Sequence, residues 1–165
     1  MKRKYDVNAR AYLESIAYGR GLDVGCADNP IGLSIGVDID PGVKPSICSD
    51  MGNIPVGDCS KDYIVSSHCL EHSSDPIKVL EEWYRIIRPG GRIGIAVPHG
   101  EYVSSKTLGC SRTGEYVGEG HRQLFTEITL EKYMLYVGFR KVRTFKVKRP
   151  YAWKQHPAIV GLGIK

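Results

Sequence analysis

The chain has no C-x-x-C pair, no long apolar run and no acidic residue after Glu131. Its five cysteines (26, 48, 59, 69 and 110) are odd in number and scattered. That pattern argues against a disulfide framework and a zinc knuckle, and for a reducing cytoplasm. Nothing approaches the roughly 20 consecutive apolar residues of a membrane span. The opening Met-Lys-Arg-Lys-Tyr-Asp-Val-Asn is charged but lacks the apolar stretch of a secretory signal. The expected localisation is therefore cytoplasmic, with no membrane partner. The missing acids make the charge lopsided. Residues 1–131 hold 14 Lys/Arg against 18 Asp/Glu, whereas residues 132–165 hold 9 Lys/Arg and no acid. A basic segment of this kind suits nucleic acid or an acidic substrate. It equally suits a solvated sheet edge, where Lys and Arg blunt an exposed strand.

Phosphate-binding signatures are missing too. The candidate glycines Gly19, Gly21 and Gly25 do not satisfy G-x-G-x-x-G, and the loop they lead into has no Lys-Ser or Lys-Thr. A dinucleotide and a triphosphate are thereby disfavoured.

What is present reads as one domain, residues 1–165, long enough to bury a core without staples. Asn8–Tyr18 predicts a short helix with Leu13, Ile16 and Ala17 on one face. Apolar runs bounded by Gly, Pro, Asp or Ser predict strands at 21–25, 34–38, 46–49 and 62–67. Asp75–Arg88 is the clearest helix. Asp75 or Ser74 can cap it, Pro76 fits its first turn, and Leu80, Trp83, Tyr84 and Ile87 recur at helical spacing. Pro89-Gly90-Gly91 is expected to stop it before a strand at 92–98. Thr126 opens another helix that Gly138 closes, and strands at 139–147 and 157–164 end the chain as an antiparallel pair.

The alternation predicts an α/β domain with a mainly parallel sheet. Only Ala27–Ser34 separates the first two strands, where a parallel crossover normally needs a dozen or more residues. The helix after the first strand is therefore truncated, leaving a sheet face for the 8–18 helix or a second subunit to cover. Ligands of open parallel sheets bind beyond the carboxyl ends of the strands. Asp23-Val-Gly25-Cys-Ala27 arrives at that edge, and Asp38 ends the second strand where an acid can hold both hydroxyls of a ribose. A nucleoside without a phosphate chain is the ligand expected there.

In order along the chain, several stretches resemble the motifs of the class I S-adenosylmethionine-dependent methyltransferases, in particular the small methyltransferase-domain type. They are Leu22-Asp-Val-Gly-Cys-Ala27, Ile35-Gly-Val-Asp38, Ser49-Asp50-Met51-Gly-Asn-Ile-Pro55, Asp62-Tyr-Ile-Val-Ser-Ser-His-Cys-Leu-Glu-His72, Arg85–Pro98, and Gly120-His-Arg-Gln-Leu-Phe-Thr126 with Val137-Gly-Phe139. The resemblance implies a Rossmann-like fold and S-adenosylmethionine as cofactor. It implies binding through Asp23, Gly25, Cys26, Ala27, Asp38, Ile39, Asp50, Met51, Ser67 and His68, with Asp50–Met51 meeting the adenine. The family's first motif has glycines where this chain has Ala27 and Asn29. Alanine is expected to cost little there if its φ stays negative, and Asn tolerates a left-handed backbone.

Methyl transfer from a sulfonium needs alignment and, for a hydroxyl or amine acceptor, a base. His68, His99 and His121 are the candidate catalytic residues; His72 reads as a structural hydrogen-bonding group. His68 and His72 with Glu71 could form a metal set only with a helix there and a third ligand, so no metal is expected. The glycine-bearing segment 99–123 is where Tyr102, Arg112, Tyr116 and Arg122 would meet the acceptor. The expected activity is methyl transfer to an oxygen or nitrogen of a small or glycan-like acceptor. The alternatives are a non-catalytic binding or scaffold protein on the same fold, and an RNA methyltransferase using the basic C-terminal segment. A homodimer is compatible with either; nucleic acid is the less favoured partner, because no Asn-Pro-Pro-Tyr motif follows Val65.

Overall fold

The apolar runs bounded by turn residues become strands: β1 Gly21–Val24, β2 Ile35–Asp38, β3 Ile47–Cys48, β4 Lys61–Ser67, β5 Ile87–Pro98, β6 Arg140–Val147 and β7 Ala158–Ile164. The computed structural model describes residues 7–100, 120–147 and 157–165. Among them the strands form one sheet in the order β3-β2-β1-β4-β5-β7-β6. The first five strands run parallel, and β7 pairs antiparallel with both β5 and β6. This is the mainly parallel, Rossmann-like sheet with an antiparallel C-terminal pair that the alternation predicts.

Among the described residues three α-helices cover it: α1 Val7–Ile16, α2 Pro76–Ile86 and α3 Glu127–Val137. Asp75 caps α2 by accepting from Lys78 N–H, and Thr126 and Thr129 cap α3 reciprocally. Gly138, at φ 115°, ends α3 in a conformation that glycine adopts without strain. Leu80, Trp83, Ile86, Leu130 and Met134 pack on one face of the sheet with Leu22, Ile64, Ile95 and Ile159. On the other face, Ala9 and Leu13 of α1 join Ile31, Tyr63, Val65, Ala96 and Val160. Gly94 of β5 makes this approach possible, since a Cβ there would lie 2.8 Å from Ile16 Cδ1.

The link between β1 and β2 contains no helix, as its length dictates. It is held by side chains instead. Arg10 of α1 donates to the Asn29 and Pro30 carbonyls at 3.1 and 2.9 Å. Asp23 accepts from Ile31 N–H at 2.7 Å, and Ser34 Oγ meets Tyr63 Oη at 3.0 Å. Ile31, 1% exposed, fills the core position that a crossover helix would otherwise supply. One expectation fails: Ala27 has φ 49°, so the first-motif alanine sits in the left-handed region rather than at negative φ. Its N–H donates to Asp38 Oδ2 at 2.9 Å, which holds the backbone there against a cost of about 1–2 kcal/mol.

Boundaries also differ: α2 ends at Ile86 rather than Arg88, and β3 is only Ile47–Cys48. α1 ends at Ile16, before Tyr18, and β5 begins at Ile87 rather than Arg92. Pro89-Gly90-Gly91 is built into the strand because Gly90 N–H donates to the Lys165 carbonyl and Lys165 N–H to the Gly91 carbonyl. β6 is a sheet edge, and Arg140, Lys141, Arg143 and Lys146 are exposed along it. No helix among the described residues is long and apolar enough to cross a membrane.

Candidate functional site

At the carboxyl ends of β1 and β2 the chain leaves a small, open crevice lined by Val24, Gly25, Val37, Asp38, Ile39, Ser49, Asp50, Met51 and Cys69. Gly25 turns at φ 77°, and a Cβ there would lie 2.5 Å from Cys69 Cβ, so only glycine fits. Apolar walls with two carboxylates at the rim suit a flat ring bearing hydroxyls or a cationic group, and oppose phosphate.

Asp38 ends β2. Its Oδ2 accepts from Ala27 N–H and its Oδ1 from Asp40 N–H at 3.0 Å. Each carboxylate oxygen has a second lone pair, so the group is fixed in direction with acceptor capacity left for a ligand's hydroxyls. Asp23 stands behind it, 2% exposed. Burial raises its carboxyl from 3.8 to about 6, opposed by the bond from Ile31 N–H. Asp23 thus braces the link rather than lining the crevice.

The loop after β3 is tied to α2. Trp83 Nε1 donates to the Met51 carbonyl at 2.9 Å, and Ile54 N–H donates to Glu82 at 2.9 Å. Arg85 meets Glu82, Asp58 and the Val56 carbonyl. Its hydrogen bond to Glu82 is the main reason that the Glu82 carboxyl lies below its usual value. Asp50 accepts from Gly52 N–H at 2.8 Å, which shapes the turn that presents Met51.

Of the ten residues expected at a cofactor, the structure gathers Gly25, Asp38, Ile39, Asp50 and Met51 around one crevice. Asp23, Cys26, Ala27, Ser67 and His68 lie outside its lining. Cys26 is buried against Gly36 and Pro30, and burial raises its thiol to about 11. Val24, Val37 and Ser49 line the crevice without having been singled out in the sequence, and Cys69, which reads there as a buried inert thiol, joins them. Their only signal is position, at the last residues of strands or the first beyond them.

The histidines separate into two settings. His99, 1% exposed, follows β5 in an isolated bridge to Phe125, and its Nε2 lies 3.0 Å from Glu127 of α3. His68 leaves β4 at φ 54° with its N–H donating to the Ala96 carbonyl. Its ring is partly exposed, and Nδ1 lies 3.4 Å from Oε1 of the fully buried Glu71. His121 approaches the same oxygen at 3.9 Å and packs edge-on against His72, ring centroids 4.8 Å apart. Glu71, named in the sequence only as a conceivable partner of His68 and His72, stands buried at the centre of this group with His121 beside it. Arg122 is exposed, with its N–H on the Glu71 carbonyl; Tyr102, Arg112 and Tyr116 lie outside the described residues.

Residues 16–95 match the family model described as a methyltransferase domain. The strand order and the crevice at the β1 and β2 ends agree with it. That match supports the class I S-adenosylmethionine-dependent methyltransferase family, and solved structures of such enzymes share the fold. A solved S-adenosylmethionine-dependent methyltransferase of Thermotoga maritima, described as a possible histamine N-methyltransferase, superposes with a TM-score of 0.74 at 20% identity. That likeness, one of fold, covers 99% of this chain and 90% of the other. Ribosomal RNA-processing protein 8 of Caenorhabditis elegans is 26% identical over 149 residues, 84% of this chain and 40% of that one. Demethylmenaquinone methyltransferase of Paenarthrobacter aurescens (strain TC1) is 38% identical over 77 residues, 46% of this chain and 30% of that one. The chain spans between 30% and 51% of the curated relatives it matches. The family's cofactor is S-adenosylmethionine, and the crevice of this methyltransferase domain fits its adenosine half: an apolar slot, an oriented carboxylate at the end of β2, and no phosphate cradle.

Proposed function

We propose that this domain transfers a methyl group from S-adenosylmethionine to an oxygen or nitrogen of a small or glycan-like acceptor. The observation that carries the reading is Asp38, locked by two backbone N–H groups and facing Gly25 and Met51 across one crevice. In this reading Asp38 holds the ribose hydroxyls, and the Asp50–Met51 turn, anchored by Trp83, meets the adenine. When bound, the cofactor supplies a methyl group already activated on a positively charged sulfur.

The chain's own contribution is placement and proton removal. His68 sits at the exit of β4, next to the crevice residue Cys69, and takes the acceptor's proton on a ring nitrogen. Glu71 Oε1 lies 3.4 Å from its Nδ1. His99 is better placed to fix the β5 exit to α3 through Glu127 than to accept a proton. Free cysteines at 26, 48, 59 and 69 agree with a cytoplasmic setting.

Calorimetric titration with S-adenosylhomocysteine tests the cofactor half. Micromolar binding that Asp38→Ala removes supports the reading. No binding by a folded protein would favour a non-catalytic scaffold. The RNA reading draws on the exposed basic edge of β6 and the kinship with an RNA-processing protein. Salt-sensitive RNA binding lost on neutralising Arg140, Lys141 and Arg143 would move the acceptor to that class.

A further inference from the structure

The one-turn helix Leu70–His72 carries a carboxylate in an expensive place. Glu71 is 0% exposed, and neither of its oxygens accepts a hydrogen bond among the described residues. An ionised carboxylate buried in this way costs several kcal/mol unless a positive charge or donors compensate it. Its surroundings are imidazoles. His68 Nδ1 and His121 Nε2 lie 3.4 and 3.9 Å from Oε1, and His72 packs against His121. One ligand atom each from Glu71, His72 and His121 lies within 4.8 Å of the other two.

The grouping is held by main chain. Arg122 and Gln123 both donate their N–H groups to the Glu71 carbonyl, at 2.8 and 3.0 Å. Gln123 Nε2 donates to the Ser73 carbonyl at 3.3 Å. Gly120, at φ 73°, makes the turn that brings its neighbour His121 over His72. Two segments far apart in sequence are thus docked so that their donor side chains converge. The sequence requirement of a helix and a third ligand is met differently: a single turn supplies Glu71 and His72, and His121 is the third.

We propose that Glu71, His72 and His121 bind a divalent first-row transition-metal ion. Imidazole with carboxylate selects zinc, iron, cobalt, nickel or manganese over the all-oxygen preferences of magnesium and calcium. Metal–ligand distances of about 2.1 Å bring tetrahedral ligand atoms to about 3.4 Å from one another. The widest separation, 4.8 Å, closes to that by roughly 1.4 Å of side-chain movement. The ion supplies the charge that the buried carboxylate lacks. Three protein ligands leave a coordination position open, the pattern of catalytic rather than structural zinc. Resting on the methyl-transfer reading, that position takes a hydroxyl oxygen of the acceptor and lowers its pKa beside His68.

The test uses the full untagged chain, stripped with a chelator and titrated separately with zinc and manganese chlorides. The proposal expects one equivalent bound per chain for at least one of the two ions. Glu71→Gln and His121→Asn each weaken that binding at least tenfold. Cobalt gives a readout that needs no variant: visible d–d bands without a thiolate charge-transfer band. Absence of binding, binding unchanged in both variants, or a thiolate band from the cysteines overturns the site. S-adenosylhomocysteine titration of the chelator-stripped protein keeps the two readings apart. Metal binding without cofactor binding would fail the methyl-transfer reading alone, and cofactor binding without metal binding would fail this one alone.

Discussion

Replacing Asp23 by asparagine probes the carboxylate that braces the shortened β1–β2 link. Burial moves the Asp23 carboxyl from 3.8 to about 6, against the lowering effects of Ile31 N–H and Arg10. A folded-state value above the unfolded one means that the folded chain holds the proton more tightly. The stability this contributes is fully present below the unfolded value and is lost as pH rises through the folded value. At 1.36 kcal/mol per pK unit, the loss between pH 4 and pH 8 is about 2–3 kcal/mol. Asparagine cannot ionise, yet its Oδ1 can still accept from Ile31 N–H. Urea unfolding of both proteins from pH 4 to pH 8 isolates the effect, because the other titrating groups are common to the two. The stability of the parent minus that of Asp23→Asn should fall by about 2–3 kcal/mol across the range. A difference that stays flat would refute the claim that Asp23 is a buried, protonation-sensitive brace.

Three further predictions bear on the same region and on the thiols. Ala27→Gly relieves the left-handed alanine at φ 49° and should raise stability by about 0.5–1 kcal/mol in thermal melts, whereas a loss would deny that strain. Arg10→Ala removes the donors to the Asn29 and Pro30 carbonyls and should cost about 1–3 kcal/mol in urea titration. Arg10→Lys should not restore it, because one ammonium cannot reproduce the two-nitrogen grip. At pH 8, iodoacetamide followed by peptide mapping should label the exposed Cys48 and Cys59 and spare Cys26 and Cys69, whose thiols burial raises. Rapid labelling of Cys69 in the folded protein would contradict its burial beside Met51.

Most of the sheet was legible because its strands are short apolar runs between glycine, aspartate and serine, and because α2 carries a cap, a proline and helical spacing together. The start of β5 was not. Pro89-Gly90-Gly91 reads locally as a stop, and only pairing with the distant Lys165 main chain turns it into strand. The truncated link could be counted from residues, but its Arg10 clamp and the positive φ of Ala27 depend on where α1 docks. Gly25 and Asp38 were findable because the carboxyl ends of parallel strands are where ligands bind, and Ile39, Asp50 and Met51 through the resemblance to a family's motifs. Glu71 could be named beside His68 and His72, but its full burial and its approach to His121 could not be foreseen. Its partners His68 and His121 converge only through the backbone docking of residues 120–123 on the 70–72 turn, a juxtaposition with no sequence period.

The central claim is that a crevice organised by Asp38 holds S-adenosylmethionine. Calorimetric titration of the purified chain with S-adenosylhomocysteine, alongside Asp38→Ala of equal melting temperature, tests it most directly. The account predicts one micromolar site in the parent and at least a tenfold loss in the variant. Equal binding by the two proteins, or none by a folded parent, would contradict it.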